Sequence, residues 1–190
     1  MAYAVTPAQA RTIGTPYIQA HRGGSVVNGK PTYPENTMPA FRHSADKGFV
    51  LEMDVKLTED RVPVVVHDAT LDRTTDCDGQ VDAKTVKQLR RCRVDILGTE
   101  GNSIHIGPHD PRAARIPTLA HVLEFIKHER AAANIEIKNV PTDPDFDATD
   151  RFATTVSKAI RLSRVPQSQL IVQSFWPPNL RVAQALLPHA

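Results

Sequence analysis

Long apolar runs, strong net charge and nucleotide-binding glycine motifs are all missing from this 190-residue chain. The longest apolar runs are strand-sized, so the sequence predicts no membrane-spanning helix. The formal net charge is only +2 and the basic residues are scattered, so we expect no nucleic-acid partner. Neither G-x-G-x-x-G nor G-x-x-x-x-G-K-[ST] occurs, which leaves a nucleotide-binding fold without support.

Cysteine is also scarce, since Cys77 and Cys92 are the only two. Without further thiols nearby they would make a poor metal site. We expect a disulfide between them and, with it, an extracytoplasmic or secreted location; two reduced thiols and a cytoplasmic location are the alternative. Residues 1–16 lack a basic region followed by a long apolar one, so we expect an N-terminal extension that is not an intact signal peptide.

The length and composition predict one domain over residues 1–190. Its strands and helices alternate, which is typical of a parallel α/β sheet, either doubly wound or a (β/α)8 barrel. A long polar loop or insertion interrupts the pattern at residues 69–115. The predicted strands are 17–23, 49–57, 62–68, 133–139 and 169–175, and the predicted helices are 36–48, 84–91, 117–129, 148–163 and 177–188.

The stretch "FVLEMDVKL" (49–57) places two acids, Glu52 and Asp54, on one side of a strand between apolar residues. "IEIK" (135–138) places Glu136 and Lys138 on one side of another strand in the same way. Because strand ends converge on one centre in a parallel barrel, we expect the three carboxylates to meet. Carboxylates without thiols suit one hard divalent cation, Mg²⁺ or Ca²⁺, which would also relieve their mutual repulsion.

Other polar residues follow the same strand ends. His21 and His67 can serve as a general acid and a general base, although the sequence does not assign one role to each. Arg22 and Lys138 beside the metal would form an anion site that suits phosphate. Ser174 and Trp176 are expected to form part of the pocket wall. Together these groups fit reaction at a phosphodiester, with a small molecule as substrate.

The motifs "HRGG", "PENT", "EMDV", "VPVVVHD" and "IEIK", in this order, closely resemble the glycerophosphodiester phosphodiesterase family. "TLDRTTDCDG" and "RIPTLAHVLEF" resemble further stretches of that family, and the resemblance runs from about residue 17 to residue 176. It implies a TIM barrel that hydrolyses glycerophosphodiesters to sn-glycerol 3-phosphate and an alcohol. The expected route is attack by a glycerol hydroxyl of the substrate, followed by opening of the cyclic phosphate by water.

The resemblance also implies a role for each matching residue. His21 and His67 would be the acid/base pair, and Arg22 and Lys138 would contact the phosphate. Glu35 of "PENT" would orient Arg22 or bind substrate. The metal ligands would be Glu52, Asp54 and Glu136.

One departure from the family is the number of strands. The family barrel has eight strands, whereas we predict five, so the barrel would be truncated after about five βα units. A non-catalytic fragment is therefore one alternative. A lipid phosphodiesterase of the same barrel class, resembling phospholipase D, phospholipase C or sphingomyelinase, is another, although the polar loop 69–115 favours soluble substrates. The oligomeric state stays open.

Overall fold

The computed structural model describes residues 17–98 and 103–190; the expected N-terminal extension, residues 1–16, lies outside the described residues. In chain order the strands are β1 (Gln19–Ala20), β2 (Val26–Val27), β3 (Lys30–Pro31), β4 (Val50–Leu57), β5 (Pro63–Val65), β6 (Arg93–Val94), β7 (Ile96–Leu97), β8 (Ser103–Ile104), β9 (Ala114–Arg115), β10 (Ala133–Ile137) and β11 (Leu170–Gln173). The α-helices are α1 (Met38–Asp46), α2 (Val86–Leu89), α3 (Leu119–Glu129), α4 (Arg151–Ser163) and α5 (Pro177–Leu186).

The central sheet is parallel, in the order β1-β4-β10-β11. β4 is buried along nearly its whole length, although Glu52, Asp54 and Lys56 alternate with its apolar residues, because it lies inside the sheet between β1 and β10. Each crossover carries a helix, as the alternation in the sequence predicts. The described strands form an open sheet with β1 and β11 at its ends.

β5 differs from the expectation of an all-parallel sheet, because it pairs antiparallel with β4. The connection between the two strands, residues 58–62, is too short for the crossover that a parallel pair requires. Instead it forms a tight turn in which the Thr58 hydroxyl accepts from the Val62 amide. The predicted strand 62–68 is also shorter than expected, so that His67 lies just beyond its end.

The main core lies between the sheet and helices α1, α3, α4 and α5. In α3 the apolar positions Leu119, Val122, Leu123 and Ile126 fall on one face, as their spacing predicts, and all four are buried. Thr118 begins this helix by accepting a hydrogen bond from the amide of His121. No helix among the described residues is long and apolar enough to cross a membrane.

Residues 69–115 are more structured than the long polar loop that we predict. They contain α2, which lies within the predicted 84–91 and starts with a reciprocal cap between Thr85 and Gln88. They also contribute to two short antiparallel pairings, β6 with β9 and β7 with β8. Beneath them lies a second apolar cluster, formed by Val64, Val66, Leu71, Val81, Leu89, Cys92, Val94 and Ile116.

Cys77 and Cys92 are joined by a disulfide, with their Cα atoms 5.5 Å apart. Cys92 lies inside the second apolar cluster and Cys77 packs against its edge. The bond therefore fixes the residues on either side of α2 against the strands that bear the functional groups.

A buried lysine anchors the segment that follows β10. Lys56 is fully buried, and its Nζ atom lies 2.6 Å from Asp143 and 2.8 Å from Asp145. Because an unpaired buried charge is very costly, these two ion pairs hold the segment before α4 against the end of β4.

We predict that the double variant Cys77→Ser/Cys92→Ser unfolds with a free energy lower by about 3 kcal/mol, because the disulfide closes a loop with a sequence separation of 15. Chemical denaturation of both proteins measures the difference. With a reductant present, wild type and variant should unfold alike. Two free thiols in the denatured, unreduced wild type would contradict the prediction.

Candidate active site

Three carboxylates meet on neighbouring strands, as the sequence predicts. In the register of β4 against β10, Glu136 lies opposite Asp54, and Glu52 lies two residues earlier on the same side. One oxygen from each residue lies within 4.8 Å of the others, and all three side chains are buried. The parallel register is therefore what assembles the cluster.

The electrostatics of this cluster fit a hard cation. Burial, reinforced by the charge of Asp54, raises the pKa of Glu52 to about 7. Glu136 Oε1 is buried without a hydrogen-bond partner, although Lys138 Nζ lies 3.3 Å away. Three oxygen donors with an unsatisfied buried oxygen and no sulfur form a donor set that suits Mg²⁺ or Ca²⁺.

Arg22 is positioned by the turn "HRGG". It adopts a left-handed conformation (φ 53°), which lets its amide donate to Glu52 Oε2 at 2.6 Å. Gly23 follows, also with positive φ, and a Cβ atom there would lie 3.0 Å from the ring of Phe41. The Arg22 guanidinium then lies between Glu35, at 3.1 Å, and Asp54, at 3.9 Å.

His67 is held from both sides. Its Nδ1 atom lies 2.6 Å from Asp68 Oδ1, and its Nε2 atom lies 3.1 Å from Lys138 Nζ. An ammonium group only donates hydrogen bonds, so Nε2 must accept and the ring proton belongs on Nδ1. The lone pair of Nε2 is therefore on the side of the ring that faces Lys138.

His21 lies at the end of β1 and lines the same cavity as the three carboxylates and His67. Burial lowers the pKa of His21, and the charge of Arg22 lowers it further, against the smaller opposing effect of Asp54 and Glu35.

Asp68 and Arg73 join the site although the sequence reasoning missed both as functional residues. Arg73 donates to Asp68 through Nε and to Glu35 through both terminal nitrogens, at 2.7 and 3.2 Å. Burial opposes ionisation of both carboxyls. The hydrogen bond from Arg73 and the charge of Arg22 nevertheless lower the pKa of Glu35, and the hydrogen bonds from His67 and then Arg73 lower the pKa of Asp68. In the sequence these residues appear as "HD" (67–68) and "DR" (72–73). Because both pairs lie in loops, no apolar periodicity marks their contacts.

A cavity of about 390 Å³ opens beside these groups. It is lined by Gln19, His21, Glu52, Asp54, His67, Asn134, Glu136, Lys138, Gln173 and Phe175. Both histidines, the three carboxylates and Lys138 thus share one cavity, whereas Glu35 lies buried behind Arg22.

The expected wall residues Ser174 and Trp176 are not among the residues that line this cavity. The Ser174 hydroxyl donates to the carbonyl of Ile137 and accepts from Asn179, and Trp176 packs edge-on against Phe146. Since side chains alternate along an extended chain, the neighbouring positions 173 and 175 face the cavity instead. The two expected wall residues are therefore direct neighbours of residues that line the cavity.

A sequence model of the glycerophosphoryl diester phosphodiesterase family matches residues 21–190. The chain belongs to this family. A glycerophosphodiester phosphodiesterase from Bacillus altitudinis is 33% identical over 175 residues, which cover 90% of this chain and 63% of the relative. This member of the glycerophosphoryl diester phosphodiesterase family thus spans a little under two thirds of that relative's length.

Solved structures agree with the family assignment. A glycerophosphodiester phosphodiesterase from Agrobacterium tumefaciens matches with a TM-score of 0.66 and 25% identity, over 92% of this chain and 64% of that one. An Oleispira antarctica phosphodiesterase in complex with the product sn-glycerol-3-phosphate matches with a TM-score of 0.65 and 26% identity, over 91% and 63%. The similarity confirms the predicted TIM-barrel class.

We predict that the metal-free protein loses stability as pH rises from 4.5 towards 7. The folded state keeps the Glu52 proton, because its pKa is raised to about 7, while the unfolded state releases it near the ordinary value of 4.5. In EDTA at pH 8, Glu52→Gln should therefore melt at a higher temperature than wild type, because the variant carries no charge there.

The order should reverse when Mg²⁺ or Ca²⁺ is added at pH 8, because only wild type keeps all three carboxylates and gains stability from binding. Thermal melts of both proteins in EDTA and in each metal measure the effect. An unchanged melting temperature of wild type on chelation and on metal addition would contradict a metal centre at these residues.

Proposed function

We propose that this protein hydrolyses glycerophosphodiesters to sn-glycerol 3-phosphate and an alcohol, with a divalent cation and a histidine acid/base pair. The observation that carries the proposal is the single cavity that three buried carboxylates, two histidines and Lys138 share. The similarity to a phosphodiesterase that binds sn-glycerol-3-phosphate supports the same substrate class.

Charge supports the metal requirement. The connected ionisable groups comprise five carboxylates, Glu35, Glu52, Asp54, Asp68 and Glu136, and three cations, Arg22, Arg73 and Lys138. One divalent cation would balance the remaining two negative charges. Glu52, Asp54 and Glu136 would hold it, and it would supply stabilisation of charge on the phosphate oxygens.

His67 suits the role of general base. Asp68 holds the ring proton on Nδ1, which leaves Nε2 as the acceptor. Nε2 accepts from Lys138 in this structure, and it would accept the proton of the attacking hydroxyl once Lys138 turns to the substrate phosphate. His21 then supplies the proton that the departing alcohol oxygen needs.

Arg22 and Lys138 provide the positive charge for the substrate phosphate. Lys138 lines the cavity directly, whereas Arg22 is not among the residues that line it and reaches the site through its contacts with Glu35 and Asp54. Arginine offers paired donors that match two phosphate oxygens, and lysine acts as a point charge.

We also propose an extracytoplasmic or secreted location. The disulfide between Cys77 and Cys92 supports it, because structural disulfides persist in oxidising compartments.

We predict that the chain, incubated with glycerophosphocholine and Mg²⁺ or Ca²⁺, releases sn-glycerol 3-phosphate. His67→Ala and His21→Ala should each lower kcat by about 10²- to 10⁴-fold, because each removes a proton-transfer group. An enzyme-coupled assay of sn-glycerol 3-phosphate measures the rates.

His128→Ala is the matched control, because His128 is an exposed helix residue whose partner among the described residues is Glu129. It should leave the rate unchanged. Absence of product with both metals, or full activity in His67→Ala, would overturn the proposal.

A further inference from the structure

Arg73 contacts two separate carboxylates, and each of these carboxylates holds a different residue of the site. Asp68 accepts from Arg73 on one oxygen and binds His67 Nδ1 with the other. Glu35 accepts from Arg73 on both oxygens, and the same two oxygens accept from Arg22. Arg73 itself is not among the residues that line the cavity.

We propose that Arg73 is a positioning residue that fixes the general base His67 through Asp68 and the phosphate-binding Arg22 through Glu35. This inference rests on the proposed function. It adds a residue that acts on both catalysis and substrate binding without touching the substrate.

The geometry requires an arginine. Nε bonds one carboxylate while the two terminal nitrogens bond the other, so the planar guanidinium sets the distance between Asp68 and Glu35. A lysine ammonium can bond two carboxylates, as Lys56 does, but its single nitrogen lacks the planar donors that hold Asp68 and Glu35 at this spacing.

Orientation of His67 depends on this link. Asp68 has few other ties, because its two oxygens contact only His67 and Arg73 among the hydrogen bonds of the described residues. Without Arg73 the Asp68 carboxylate is free to turn away from the ring. The Nδ1–H then loses the acceptor that fixes the ring, and the orientation of the Nε2 lone pair depends on Lys138 alone.

The segment that carries Arg73 is itself held in place. The hydroxyl of Ser103 donates to the carbonyl of Arg73, and Leu71, two residues earlier, lies in the second apolar cluster. The disulfide closes the same segment a few residues later. Residues 69–115 thus hold the Arg73 guanidinium in a fixed position beside the site.

We predict that Arg73→Gln lowers kcat roughly 10-fold or more and also raises KM, because it frees both carboxylates. Compared with Arg73→Gln, Arg73→Lys should restore only part of the loss in kcat or part of the loss in KM. Arg93→Gln is the matched control, since Arg93 pairs with Asp76 in the same segment and does not reach the site. Its kcat and KM should equal those of wild type.

Double variants test whether Arg73 acts through its two partners. Arg73→Gln/Asp68→Asn should have about the same kcat as Asp68→Asn alone, and Arg73→Gln/Glu35→Gln about the same KM as Glu35→Gln alone. A merely structural role would give additive losses. Additive losses in both double-variant cycles would overturn the inference. So would an Arg73→Gln enzyme with the same kcat and KM as Arg93→Gln.

One readout does not need activity. In ¹⁵N NMR of the folded protein, the Nδ1–H signal of His67 should be protected in wild type and in Arg93→Gln, and should exchange faster with water in Arg73→Gln. An unchanged signal in folded Arg73→Gln contradicts the inference. If wild type releases no sn-glycerol 3-phosphate while this signal responds as expected, the proposed function fails and the positioning role stands.

Discussion

Repulsion among three buried carboxylates is the constraint around which the site is built. The pairing of β4 with β10 brings Glu52, Asp54 and Glu136 together, and their proximity depends on the register of these two strands. Ionised carboxylates in a buried position are stable only when they are paired, hydrogen-bonded or bound to a metal. The sheet therefore creates a local deficit of positive charge, and the surrounding arginines and lysine meet only part of it.

The other charged groups form a connected network around this deficit. Glu35 lies between two guanidinium groups, Arg22 and Arg73, and Lys138 bridges His67 and Glu136. Removing one member leaves its partner buried and unpaired, which costs far more than the pair contributes when intact. Such a network tolerates little rearrangement, which suits the proposed function, in which a proton acceptor and an anion are held at fixed positions.

The parts that the sequence predicted well are those with a strict period. The two-residue rule placed Glu52 beside Asp54 and Glu136 beside Lys138 correctly, because burial of the alternate positions fixes the phase of a central strand. Ser174 was expected on the wall only because it follows the end of a strand, and this position alone does not set the direction of its side chain. The orientation of β5 and the contacts of Arg73 depend on turn length and on loop geometry, which apolar periodicity does not report.

The antiparallel β5 has a consequence for how the site assembles during folding. Because β5 returns directly along β4, residues 52–67 bring two candidate metal ligands, Glu52 and Asp54, close to His67, which follows β5. Closing so short a loop costs little chain entropy, so this part can form early. Glu136 comes from far along the sequence and joins only when β10 docks. Tight binding of the cation is therefore expected as a late folding event, since the complete oxygen cage does not exist before that step.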